Sequence, residues 1–174
     1  MELFDVYDKE RNIIFKGKEK GSPLADGEYR LVVHVCVFNS NGEMLIQQRK
    51  SDKKLWPDCW DISVGGHVIS GETTAQAAER ETLEELGIKL NLIKERPHIT
   101  INFEQGFDDI YVVNYDIDIK DVTIQEEEVQ NARWASKKEV LKLLDNGGFI
   151  PYHKGFVDYL FDANTTRGLH KLKW

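Results

Sequence analysis

Positive charge is in short supply along this chain. Against 30 Asp and Glu stand 23 Lys and Arg, and the net charge of −7 argues against non-specific binding of nucleic acid or of an anionic membrane. Cysteine is scarcer still: Cys36 and Cys59 lie among apolar neighbours at no metal-ligand spacing. That pattern offers neither a disulfide framework nor a zinc site, and both residues read as reduced thiols of a cytosolic protein. No apolar run approaches the ~20 residues of a membrane span. The opening Met-Glu-Leu-Phe-Asp-Val-Tyr-Asp is acidic where an export leader is basic, so a cytoplasmic, non-exported protein is expected. Internal repeats, linkers and low-complexity segments are also missing. What remains is 174 residues with 41% hydrophobic content, enough to bury one core without covalent staples, and residues 1–174 read as a single domain.

Hydrophobic periodicity divides that domain. Glu2 to Tyr7 and Ile13 to Lys16 alternate around Asp8–Asn12 and predict a hairpin, an appendage occupying residues 1–28. The apolar run Leu31 to Phe38, the turn Asn39-Ser-Asn-Gly42 and Met44 to Gln48 predict a central hairpin. Ile62 to Val64 reads as a short strand delivering a Gly65-Gly66 turn. Ile99 to Phe103 and Ile110 to Ile117 read as paired strands around Glu104–Asp109, which leaves Asp108 and Asp109 in a turn. A brief strand over Ala132 to Ala135 precedes a helix capped by Ser136 and stopped at Asn146-Gly-Gly148. Residues 153–174 supply a terminal helix, to about Ala163, and a tail expected to be mobile.

The densest chemistry lies in residues 66–88. On a helix, Glu81, Glu84 and Glu85 fall within an arc of roughly 100°. Bare carboxylates so placed repel one another, whereas a divalent cation keeps them ionised together. Ala77 and Ala78, close to the same arc, are small enough to leave room for metal and phosphates, while Leu83 and Leu86 point towards a core. Glu72 and Thr73-Thr74 suit the positive end of the helix, Gly87 suits a left-handed C-terminal position, and Arg80 is placed to brace Glu72. Three glutamates alone would more readily describe a solvated face; the flanking glycines and Arg80 decide against it.

Gly66, five residues, Glu72, seven residues, then Arg80-Glu-Thr-Leu-Glu-Glu-Leu-Gly-Ile88 resembles the Nudix box, with Thr82 standing where an aliphatic residue is usual. The resemblance implies an α/β/α sandwich with a mixed sheet, preceded here by the N-terminal hairpin, and an enzyme hydrolysing a diphosphate linked to another moiety. It implies Mg²⁺, or alternatively Mn²⁺, held by Glu81, Glu84, Glu85 and a main-chain carbonyl near Gly65. Glu81 and Glu84 would help to deprotonate water. Glu128, in Glu126-Glu-Glu-Val129, matches the region where many members carry a further catalytic glutamate, although a solvated loop reads equally well there. Gly66, Glu72, Arg80 and Gly87 would be structural.

Outside the box, Arg49, Lys53 and Lys54 follow a strand end and are candidates to hold the diphosphate. Trp56 is a candidate stacking surface, and Trp60 reads as core. The segment through Ser63-Val-Gly-Gly-His67 is also similar to the type 1 isopentenyl diphosphate isomerases, but Gly65 stands where their catalytic cysteine stands and has no proton to give. His67 matches an isomerase metal ligand; a second such ligand falls on Arg30. His34 reads as a core or hydrogen-bonded histidine, and His153 as an exposed one. Glu104 and Phe107 are candidates for the pocket mouth. Three functions follow: a diphosphohydrolase of small metabolites, an isomerase, or a non-catalytic ligand-binding module. The N-terminal hairpin is also placed to add strands across a two-fold axis in a homodimer.

Overall fold

The computed structural model describes residues 2–166, 168 and 170. The end of the tail, expected to be mobile, lies outside them. A hairpin of β1 (Leu3–Tyr7) and β2 (Ile13–Glu19) comes first, followed by β3 (Arg30–Phe38), β4 (Met44–Arg49), β5 (Trp60–Asp61) and β6 (Val64–His67). After helix α1 (Thr74–Leu86) come β7 (Ile99–Phe103), β8 (Gly106–Asn114), β9 (Val129–Ala135), α2 (Lys137–Asp145) and α3 (Lys154–Ala163).

The main sheet runs β5-β4-β3-β8-β7, with β6 added to β3 and β9 to β4. It is mixed, because β3 and β8 run parallel while the other pairings are antiparallel. From Val35 to Phe38, β3 is buried on both faces, which explains an apolar run interrupted by His34 alone. Leu31, Val33, Val35 and Val37 pack with Ala75, Ala77, Ala78 and Leu86 of α1, whereas Cys36 and Phe38 pack with Val140 of α2 and with Val157, Leu160 and Phe161 of α3. The fold is therefore an α/β/α sandwich with a mixed sheet and an N-terminal hairpin, as read from the sequence.

Several expectations are corrected. The central hairpin hardly pairs: β3 and β4 share the register Phe38↔Met44 and then diverge. Ser63 fills the opening, its hydroxyl accepting from Val37 N at 2.8 Å and donating to Leu45 O at 2.5 Å. Ile62 and Ser63 thus interrupt the expected strand, and Gly65-Gly66 is ladder rather than turn, opposite His34 and Val33. β8 begins at Gly106, so Asp108 and Asp109 lie in a strand, not in a turn. On α1, Ala77 and Ala78 are buried in the core and leave no space for metal, while Leu83 is exposed. The buried face of α1 extends across Thr82 and Glu85, which turns Leu83 outward.

The helix ends follow local chemistry. Thr73 and Ser136 each form a capping box, with Gln76 and Glu139, worth about 1 kcal/mol apiece. Gly87 closes α1 at φ 68°. Thr82, fully buried, satisfies its hydroxyl by donating to Ala78 O at 2.6 Å.

Candidate functional site

A cleft of about 350 Å³ opens where β6, α1, the end of β4 and the loop before β9 meet. Gly65, Gly66 and His67 form one wall, and Glu81, Glu84, Glu85, Arg80, Arg49 and Glu128 face it. The glycines explain how helix and strand approach so closely. A Cβ on Gly66 would lie 2.1 Å from Cδ of Glu81, so only a bare backbone lets that carboxylate seat against β6. On the opposite face of the same strand, a Cβ on Gly65 would lie 2.8 Å from the His34 ring.

Arg80 braces the site. It donates to Glu72 through Nε at 2.9 Å and Nη2 at 3.0 Å, and Nη2 also donates to the His67 carbonyl at 3.0 Å. Nη1 lies 3.0 Å from Glu81 and 3.1 Å from Glu84, so a positive group stands between two of the box carboxylates. Glu72 acts on the loop as well, accepting from Ile69 N. As the side chains stand, no three His, Cys, Asp or Glu side chains among the described residues are arranged to hold a metal ion.

Burial tunes the carboxylates. Glu85, 7% exposed, is pushed up to about 8 by burial, against the hydrogen bond that Gln47 Nε2 donates at 2.8 Å. Burial also raises Glu81, partly countered by Arg80. His67 is pushed down to about 4, first by burial and then by the charges of Lys20 and Arg30, and is therefore neutral at pH 7. The Oε1 of Gln47 is buried and has no hydrogen-bond partner among the described residues.

The remaining candidates are placed unevenly. Arg49 lines the cleft, with Nε donating to Leu55 O at 3.3 Å. Lys53 and Lys54 do not line the cleft: Lys53 stands beside it, reaching the lining residue Glu128 at 2.5 Å, and Lys54 is exposed. Beyond β6 a second chamber of about 400 Å³ shares Arg49, Gly65, Gly66 and His67 and adds Arg30, His34, Trp56 and Tyr152. Trp60 packs against the core and carries Arg133 over its ring at 5.0 Å. His34 is hydrogen-bonded through Nδ1 to Asp108 at 2.8 Å. Glu104 and Phe107 do not reach the cleft: Phe107 is buried under Tyr29 and Arg11. His153 precedes α3, also outside it.

Sequence reasoning missed Glu2, Lys20 and Gln125, all of which line the cleft. One signal was available. Asp5 interrupts Leu-Phe-Asp-Val-Tyr, and a carboxylate inside an apolar strand demands a partner. It finds Ser70 and Gly71 in the box loop, which brings the hairpin to the site.

Known proteins resemble this chain in sequence and in fold. The NUDIX domain model matches residues 28–154. An uncharacterised Nudix hydrolase of Listeria monocytogenes is 43% identical over 98% of this chain and 99% of its own length. An isopentenyl-diphosphate Delta-isomerase of Salmonella heidelberg is 31% identical over 62% of this chain and 62% of its own. Among solved structures, DR0079 of Deinococcus radiodurans shares the fold with TM-score 0.73, covering 91% of this chain and 99% of that one at 23% identity.

Proposed function

The chain belongs to the Nudix hydrolase family, and on that premise we propose that it is a Mg²⁺-dependent enzyme, with Mn²⁺ as the alternative ion, cleaving the diphosphate linkage of a small nucleotide-type or other diphosphate metabolite. The observation that carries this reading is the pair of carboxylates held out of bulk water at one wall of the cleft, Glu81 against Gly66 and Glu85 behind it. Such desolvated, mutually repelling groups are what a divalent cation offsets.

The residues fit the ion. Carboxylate and carbonyl oxygens suit a hard cation, and Glu81, Glu84 and Glu85 with the Gly65 carbonyl would hold it. The unpartnered Oε1 of Gln47, on the amide that holds Glu85, is available to a hydration water. For Glu81 and Glu84 to serve, Arg80 Nη1 must yield them, while Nε and Nη2 keep Glu72 and the His67 carbonyl. Bound there, the ion would neutralise diphosphate charge and acidify water.

The chain's own groups supply the rest. Arg49 and Lys53 hold the anion, Lys53 exchanging Glu128 for phosphate. Glu84 and Glu128, both about half exposed, are placed to take a proton from the attacking water. The water oxygen bonds to phosphorus, the bridging P–O bond breaks, and its electron pair leaves with the departing phosphate. Glu85→Gln is expected to lower turnover at least ~100-fold across a panel of diphosphates assayed with Mg²⁺ and Mn²⁺. Hydrolysis by that variant at the wild-type rate would remove the metal assignment.

The likeness to an isomerase supports a second reading, in which isopentenyl diphosphate exchanges protons at carbon. Gly65 weighs against it, and the absence of deuterium uptake from heavy water would dismiss it. Multiple turnovers of any diphosphate would exclude a purely ligand-binding module. We place the protein in the cytoplasm on its two free thiols; among the described residues no helix is long and apolar enough to cross a membrane. A homodimer is supported by β2, which among the described residues pairs with β1 alone and exposes Ile13, Ile14 and Phe15.

A further inference from the structure

The N-terminal hairpin is anchored to the rest of the domain at three points. Buried Asp5 accepts from Ser70 Oγ at 2.5 Å and Gly71 N at 3.1 Å, both in the loop that enters α1, and from Gly17 N at 3.1 Å. Tyr7 and Tyr29 exchange backbone hydrogen bonds at 2.8 Å. Arg11 grips Asp109 through both terminal nitrogens, at 3.1 and 2.8 Å. Fixed in this way, the hairpin brings the turn after β2 and the segment before β1 to the cleft, where Lys20 and Glu2 form part of the lining. Lys20 N donates to Glu2 O at 2.9 Å, and its ammonium donates to the Glu2 carboxylate at 2.5 Å.

Charge accounting gives this lysine its meaning. Glu2, Glu81, Glu84, Glu85 and Glu128 line the cleft, a surface that repels a diphosphate. Arg80 is committed to Glu72, Glu81, Glu84 and the His67 carbonyl, which leaves Arg49 and Lys20 as the other lysine and arginine side chains of the lining, with Lys53 outside it against Glu128. Lys20, itself about half exposed, has among the described residues a single carboxylate partner that it can exchange. Glu2 lies on the same hairpin with its side chain 37% exposed, and an ion pair in that setting contributes little. Exchanging a singly charged, partly hydrated carboxylate for a multiply charged phosphate group is favourable.

We propose, on the basis of the hydrolase reading above, that the Lys20 ammonium binds the substrate's diphosphate directly and that Glu2 holds it at the cleft mouth between turnovers. The hairpin is then a working part of the site, and specificity for the phosphate chain is divided between the box domain and its N-terminal extension.

Lys20→Met and Lys20→Arg test this, with methylenediphosphonate as a non-hydrolysable probe followed by calorimetry. On whichever diphosphate the wild type turns over with Mg²⁺, Lys20→Met is expected to raise KM about tenfold with kcat within about twofold, and to weaken the probe about tenfold. Lys20→Arg should restore both, and both variants should melt with the wild type. Unchanged KM and probe affinity in Lys20→Met would overturn the assignment. So would equal losses in both variants accompanied by a lower melting temperature, which would mark Lys20 as scaffold. A wild type that hydrolyses no diphosphate refutes the hydrolase reading instead, and the probe affinities of the variants then decide the role of Lys20 on their own.

Discussion

A Cβ added to Gly66 would lie 2.1 Å from Cδ of Glu81, and one added to Gly65 would lie 2.8 Å from the edge of the His34 ring, so the first clash is the more severe. Gly66→Ala should therefore cost about 1–3 kcal/mol of stability by overpacking and lower metal-dependent turnover at least tenfold, as read from a thermal melt and an assay run side by side. Wild-type activity in that variant would contradict the seating of Glu81. His34 carries a separate prediction. Burial works against its positive charge, but the hydrogen bond and charge of Asp108 prevail and raise it above 6.5. A raised folded-state value gives stability that is complete below pH 6.5 and is lost as pH climbs through the folded value. Urea midpoints taken from pH 5.5 to 8.5 should decline over that window in the wild type and stay flatter in Asp108→Asn. At this scale the sequence was readable wherever chemistry is local, as at Gly87, Thr73 and the Arg80–Glu72 brace. It was opaque for Asp108 and Asp109, whose partners lie 74 and 98 residues away. Nothing in Gly-Phe-Asp-Asp distinguishes a turn from a strand until those partners are known.

Among elements, the hairpin shows how much an anchor matters. Asp109 is 3% exposed and its carboxylate is shared by Arg11 and Thr100, so Arg11→Met strands a buried charge with one hydroxyl. Arg11 itself is a third exposed, and the cost should be on the order of 2 kcal/mol, below that of a fully buried pair. A guanidinium chloride midpoint that shifts at constant m-value would register it, and an unmoved midpoint would reduce the anchor to a surface contact. Helices were placed well from sequence because caps and stop signals are contiguous: Ser136 with Glu139, and Asn146-Gly-Gly148 after α2. Strand pairing was not. Leu31–Phe38 and Met44–Gln48 read as a hairpin because they are adjacent in the chain, while the structure spends their edges on β6, β8, β5 and β9.

For the molecule as a whole, the outer edge of β2 offers Ile13, Ile14 and Phe15, each about half exposed, as a template for another strand. Phe15→Lys should convert a dimer into a monomer in light scattering coupled to size exclusion. A wild type already monomeric at high concentration would end the dimer proposal. The fold class was legible because a largely apolar β3, an amphipathic α1 and the box spacing all describe one layered arrangement. The cleft's full membership was not, since it is drawn from the hairpin, β4, β6, α1 and the loop before β9.

That mixed membership bears on how wide the cleft stands. Gly65, Gly66 and His67 belong to the half of the sheet built on β3, whereas Arg49 and Glu128 belong with the half built on β4 and β9. The halves share one ladder rung at Phe38 and Met44, and beyond it the Ser63 hydroxyl spans the seam. The spacing between the β6 wall and the wall built on β4 and β9 is thus set in part by a buried serine two residues ahead of Gly65.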